Sequence, residues 1–256
     1  TDTVALTEVP TDVSATEVPT THTVTDMAGR TVTLPAEIKT VATFGAIGVL
    51  DAIVETMGQG SKICNEGSAS FTKTPSWAKY QYPFAPQIKT SPVFQNANGE
   101  VKMETVLAVK PDVSLTMTTE LTDQLSAQVL NVIQLSWKNQ DDITQAITLL
   151  GEVFNEPDVA QDYLKYFDEK VAQAGELTKD LKEEDKKTVF FGDPTDFTQL
   201  QSPQIAEWWI ATAGGISVTK DAKRVQESLV YSLENLLEAN PDVMLVYTAA
   251  QKEKIL

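Results

Sequence analysis

The sequence predicts an α/β protein of two lobes, each a mostly parallel sheet flanked by helices, joined by one long helix. Three observations carry that prediction. Strand-like and helix-like runs alternate through residues 24–154, the pattern of a parallel sheet wrapped by helices. A helical periodicity opens at Pro157 and runs for about 25 residues, roughly 37 Å at the α-helical rise. Residues 102–118 overlay residues 232–248 without a gap, with seven identities in 17 positions, so the second half repeats the first.

Residues 1–22 are rich in Thr and Val, and Thr-Glu-Val-Pro-Thr occurs at 7–11 and again at 16–20. Prolines among β-branched neighbours make an extended tether with nothing to bury, an edge strand being the alternative. The N-terminal lobe spans 23–155. It opens with alternating apolar and polar residues on both sides of Ala28-Gly29, a hairpin signature. Residues 38–44 form a β-rich run, and Gly45 leads into a helical stretch over 46–57 that closes at Gly58. Residues 61–86 hold Phe71, Trp77, Tyr80, Tyr82 and Phe84 among Pro75, Pro83 and Pro86, which predicts a long surface loop.

An amphipathic helix over 101–109 stops at Lys110-Pro111, because the residue before proline is pushed out of the α region. A strand over 112–117, a helix over 120–130, a strand over 132–135 and a helix over 141–154 follow, the last with Ile143, Ile147 and Leu150 at helical spacing. The connecting helix, 156–183, places Val159, Tyr163, Phe167, Val171, Ala174, Leu177 and Leu181 three or four residues apart. Its N-terminal proline and lysine-rich end suit the helix dipole, and its length lets it cross between lobes. The C-terminal lobe, 184–256, restarts with a strand over 188–192. It continues with a helix over 204–213 ended by Gly214-Gly215, a β-rich run at 216–218, a helix over 229–239 and a strand over 243–247. The sequence stops nine residues after that strand.

Charge and composition exclude several function classes. Lys plus Arg is 20 against 36 Asp plus Glu, a formal net charge of -16, so the summed field repels nucleic acid. No apolar run reaches the roughly 18 to 20 residues of a bilayer span. Cys64 and His22 stand alone in their types, which removes an internal disulfide and a Cys/His metal centre. The catalytic signatures G-x-S-x-G, H-E-x-x-H, Walker A and the dinucleotide fingerprint are absent from the sequence, and residues 57–62 lack the P-loop spacing. The chain is therefore read as a non-enzyme, with no catalytic residue, resident cofactor or metal site.

Within the repeat, Glu104 matches Glu234, Leu107 matches Leu237, and Pro111-Asp112-Val113 matches Pro241-Asp242-Val243. At about 100° per residue, Met103, Val106 and Leu107 share one face, as do Leu233, Leu236 and Leu237. Each glutamate lies about 110° away and is expected in solvent. The residues alone also allow a plainer role, an acid favouring the start of its helix by a few tenths of a kcal/mol.

With these segments placed, the chain resembles the substrate-binding proteins of ABC importers whose two lobes are joined by one long rigid helix. Members of that family bind ferric siderophores, haem, cobalamin and some metals. The likeness rests on VTDMAGRTVTLP at 24–35, METVLAVKPDV at 103–113, the helix at 157–181, IAEWWIATAGG at 205–215 and LENLLEANPDV at 233–243. It implies two Rossmann-like lobes, the C-terminal one incomplete by about 60 to 90 residues on usual domain sizes, which would leave apolar faces and sheet edges uncovered. It also implies an extracytoplasmic, periplasmic or cell-surface lipoprotein, held to the membrane only through a lipid anchor upstream of residue 1. It further implies that Glu104 and Glu234 dock into arginine-containing pockets on the two subunits of an ABC importer permease dimer.

The ligand is then expected between the lobes, at the carboxyl ends of the strands. That rule selects Phe44 and Gly45, Met117 and Thr118, Trp137, Asp193 and Tyr247. The resemblance adds Tyr82 and Phe94; Trp77 and Tyr80 share the aromatic loop, and Trp208 lies on the 204–213 helix. Such a cluster suits a broad planar or lipophilic ligand, read here as a ferric siderophore or similar large metal chelate. Only Arg30 and Arg224 are arginines, so a neutral hydroxamate complex, a corrinoid or haem fits better than an anionic catecholate. A surface interaction or adhesion module with no small-molecule ligand is the remaining alternative.

Overall fold

The predicted hairpin is formed by β1 (Thr21–Thr25) and β2 (Thr31–Pro35), antiparallel with Thr25 opposite Thr31. Asp26 builds its turn. One carboxylate oxygen accepts from the backbone N–H groups of Ala28 (3.0 Å) and Arg30 (2.9 Å). The other accepts from the Arg30 guanidinium (2.5 and 3.0 Å) and from the Gln134 N–H (3.0 Å). Arg30 also donates to the Val132 carbonyl (2.9 Å), so one of the chain's two arginines is spent clamping the hairpin to the sheet beside it. The computed structural model describes residues 20–45, 48–67, 72, 75–136, 138–192, 205–225, 228–246 and 249–253; nearly all of the tether lies outside the described residues.

The N-terminal lobe continues with β3 (Val41–Thr43), α1 (Val49–Thr56), α2 (Pro75–Tyr80), α3 (Met103–Val109), β4 (Val113–Thr116), α4 (Thr119–Ser126), β5 (Val132–Gln134) and α5 (Gln140–Phe154). The three strands run parallel in the order β3-β4-β5. Alternate strand residues feed two cores. Val41, Val113, Leu115 and Ile133 pack with the hairpin, α1 and α5. Ala42 and Val132 pack with Phe44, Phe94, Val106 of α3 and Leu125 of α4. The stretch expected as a long surface loop is corrected in part: α2 forms within it, and Trp77 is buried to 1% exposure in the first core.

Next comes α6 (Pro157–Thr178), the connecting helix, with 22 residues and a length of about 33 Å. It starts tightly against α5, where a Cβ on Gly151 would sit 2.8 Å from that of Ala160. Val159, Tyr163 and Leu164 lie on the N-terminal core. One turn later Phe167 stacks on Tyr163 (6.4 Å) and meets Trp208 of α7 (Ile205–Thr212) at 5.9 Å. The same helix therefore packs on both lobes.

In the C-terminal lobe, β6 (Thr188–Phe191), α7, β7 (Ile216–Ser217), β8 (Lys223–Val225), β9 (Ser228–Val230), α8 (Leu233–Ala239), β10 (Val243–Leu245) and α9 (Ala249–Glu253) follow. The parallel sheet has the order β10-β6-β7. The helix expected over 229–239 is shorter. Residues 228–230 pair with β8, and Ser232 starts α8 through a capping box: its hydroxyl accepts from Asn235 N–H (3.3 Å) while Asn235 Oδ1 accepts from Ser232 N–H (3.0 Å).

The duplicated segments fold alike down to single hydrogen bonds. Each helix ends in a left-handed residue before its proline, Lys110 at φ 52° and Asn240 at φ 40°. Asp112 N–H donates to Thr40 Oγ1 (3.0 Å) and its carboxylate accepts from Thr40 N–H (2.9 Å). Asp242 N–H donates to Thr188 Oγ1 (2.9 Å) and its carboxylate accepts from Thr188 N–H (2.9 Å). One expectation fails in both copies. Val106 and Leu236 are buried, but Leu107 is 42% exposed and Leu237 70% exposed, and Leu233 is exposed as well. A two-turn helix that ends in a reversal seats one narrow row on its sheet, and these leucines fall outside it.

Candidate ligand and docking sites

The carboxyl ends of the N-terminal strands converge on a hydrogen-bonded rim. After β3, Phe44 is buried and stacks on Phe94 (5.8 Å), and Gly45 N–H donates to Gln95 Oε1 (2.8 Å). Beside β3 runs an extended segment joined to it by the Val41–Ile63 bridge. In that segment Asn65 both accepts from Thr43 N–H (2.9 Å) and donates to Thr43 O (3.0 Å). Its neighbour Glu66 accepts from the Tyr82 hydroxyl at 2.7 Å. Burial, together with the hydrogen bond to Glu66 and its charge, pushes the Tyr82 phenol up to about 12, so it stays a neutral phenol held by a carboxylate at neutral pH.

Beneath the rim, Thr43 Oγ1 donates to the buried Asp51 (2.7 Å). Burial raises the Asp51 carboxyl to about 6, and burial plus the charge of Asp51 raises Glu55, one turn along α1, to about 7. Burial likewise pushes the Cys64 thiol up to about 12, leaving it inert at neutral pH. Among the described residues, no group of three or more His, Cys, Asp or Glu side chains is placed to hold a metal ion, and no helix is long and apolar enough to cross a membrane.

The sequence-selected residues separate on this geometry. Gly45, Tyr82, Met117 and Thr118 lie at the rim with part or all of the residue exposed; Thr118 caps α4 by accepting from Leu121 N–H (3.4 Å), Met117 leans on the first core, and Tyr80 is exposed with Lys79 over its ring (4.9 Å). Phe44, Phe94 and Trp77 lie in the core at 0%, 0% and 1% exposure, their rings packed against apolar neighbours. Trp208 is spent on Phe167 of the connecting helix. Trp137, Asp193 and Tyr247 lie outside the described residues. Glu66, Asn65 and Asp51 escaped the sequence reading, since a lone acid or amide in an irregular stretch carries no periodic signal.

Glu104 and Glu234 are both exposed, each in the first turn of its helix. Hydrogen bonds from its own backbone N–H and from Ser232 hold the Glu234 carboxyl below its usual range. A family model described as periplasmic binding protein matches residues 68–255. The chain belongs to the periplasmic binding protein family. Periplasmic binding proteins are extracytoplasmic, bind small ligands, work with ABC importer permeases and are binding proteins of transporters rather than enzymes. No curated protein sequence matches this one.

Solved periplasmic binding proteins share the fold. MolA of Haemophilus influenzae, bound to molybdate, is 22% identical with a TM-score of 0.72, covering 88% of this chain and 73% of that one. The haem-binding protein HmuT is 18% identical with a TM-score of 0.64, over 93% and 75% of the two chains. The TroA-like FepB of Veillonella parvula is 19% identical with a TM-score of 0.62, over 90% and 71%. The two-lobed α/β architecture and the family resemblance are thereby borne out.

Proposed function

We propose that this periplasmic binding protein captures a ferric siderophore between its lobes and delivers it to an ABC importer, docking through Glu104 and Glu234. The observation that carries the reading is the atom-level repetition of the α3–β4 unit in α8–β10, which gives each lobe an exposed acid at one register, with a single continuous helix packed on both lobes. Exposed charges of that kind steer encounter and set register on a partner.

For the ligand, the polar and aromatic rim of Gly45, Tyr82, Met117 and Thr118, with Tyr80 exposed two residues before Tyr82, supports a large chelate. Arg30 is clamped by Asp26 and the Val132 carbonyl, so the N-terminal lobe brings no arginine among the described residues to an anionic complex. A ferric complex of the neutral hydroxamate type fits this best. Titrating ferrichrome, a ferric catecholate, haemin, cobalamin and molybdate while following tryptophan fluorescence tests it. A saturable quench with ferrichrome alone is expected. Saturation by haemin or cobalamin alone would reassign the ligand, and silence across all five would remove the transport reading in favour of an adhesion module.

A further inference from the structure

Of the residues identical between the two repeated units, Pro, Asp and Val serve the chain reversal and the strand that follows. Glu and Leu in the helix do neither. Glu104 and Leu107 are three residues apart, about 60° around the helix, and both are exposed; Glu234 and Leu237 repeat this in α8. Among the described residues neither glutamate enters an ion pair. A single exposed leucine is ordinary on a protein surface. The same leucine, beside the same acid, on the same helix of both lobes is not required by packing, because Val106 and Leu236 already seat the two helices.

We propose that Leu107 and Leu237 are apolar pegs that dock with Glu104 and Glu234 into two equivalent pockets of the importer's permease dimer, each pocket pairing a cation with an apolar notch. The proposal rests on the docking role of the glutamates and extends it. Two copies of one face, one per lobe, call for a partner that presents its own pocket twice, as a two-fold dimer does. A chain of net charge -16 calls for a cationic one. The glutamate supplies steering and register, while the leucine, buried only on docking, supplies area at the centre of the contact.

The test is binding of the full chain, loaded with ferrichrome, to its cognate permease in nanodiscs. Leu107→Gln with Leu237→Gln keeps helix propensity and is expected to weaken binding about tenfold or more, the scale of a lost apolar anchor. Thermal stability and chelate affinity should stay unchanged, and Leu107→Met with Leu237→Met should restore docking. Full binding by the glutamine pair, with binding lost in Glu104→Ala/Glu234→Ala, would overturn the pegs and leave the docking glutamates standing. Full binding by both pairs would end the docking reading itself. Self-association of the parent chain in sedimentation, abolished by the glutamine pair, would assign the face to a second copy and overturn the proposal.

Discussion

The two repeated units share their caps, their Thr–Asp clasp and the register of their exposed acids, yet differ in what surrounds them. In the first, β4 is the central strand, and Val113 and Leu115 are wholly buried under the hairpin, α1 and α5. In the second, β10 stands at the edge of its sheet among the described residues, and the matching Val243 and Leu245 are 38% and 44% exposed. They line an apolar groove of about 540 Å³ with Phe191, Trp209 and Ile210. Seventeen residues of repeated sequence thus dictate a helix, its stop and a strand. Burial of that strand depends on what other parts of the chain bring to it, and among the described residues the second lobe brings less.

The sharpest way to break the equivalence of the units is to remove both acids. Glu104→Ala with Glu234→Ala is expected to cut uptake of the bound chelate about a hundredfold, the scale of losing two docked charges, with chelate affinity intact; either single variant should give an intermediate loss. Loss of chelate binding in the double variant would place the acids in the ligand site instead.

The next prediction separates the lobes by a buried ionisable group. The folded Asp51 carboxyl stands at about 6 against an ordinary 3.8. Between those values the folded state keeps a proton that the unfolded chain releases, so stability from this group is full below about pH 4 and is lost as pH rises through about 6. The parent should lose about 2 to 3 kcal/mol more than Asp51→Asn across that window, as urea unfolding at a series of pH values would show. Parallel stability curves for the two proteins would contradict the buried carboxylate.

Much of this was legible in the sequence, for physical reasons that can be named. The hairpin, the connecting helix and the repeated helix–strand units are set by local chemistry: Gly29 in a left-handed turn, Pro157 opening a helix, a Pro-Asp pair closing one. What escaped depends on contacts between distant segments. Trp77 sits among prolines and aromatics that read as surface, and its burial is settled by the core it fills. Trp208 is claimed by Phe167, and Tyr82 by Glu66, partners 41 and 16 residues away. Leu107 and Leu237 obeyed helical periodicity but not burial, because the helices are too short to seat a second row.

Two smaller effects sharpen the comparison. Asp112 holds two backbone N–H groups, of Lys39 (2.8 Å) and Thr40, in a part-buried setting, whereas Asp242 holds Thr188 N–H and Oγ1 at an exposed one. Asp112→Ala should cost about 2 kcal/mol of stability and Asp242→Ala clearly less; equal costs would mean that burial does not distinguish the clasps. Smaller still, Tyr82→Phe removes the hydroxyl held by Glu66 and should weaken chelate capture by about 1 kcal/mol, read as a change in dissociation constant. An unchanged constant would take Tyr82 off the rim.

One cross-linking measurement tests twin docking most directly. Ala108 and Glu238 are exposed and occupy matching positions one turn beyond the acids, and the half-buried thiol of Cys64 stays protonated at neutral pH. A chain carrying Ala108→Cys and Glu238→Cys, bearing a photoreactive thiol label and mixed with its permease, should join both permease subunits at once into a single three-chain product. Attachment of one position only, whichever subunit it reaches, would contradict the account.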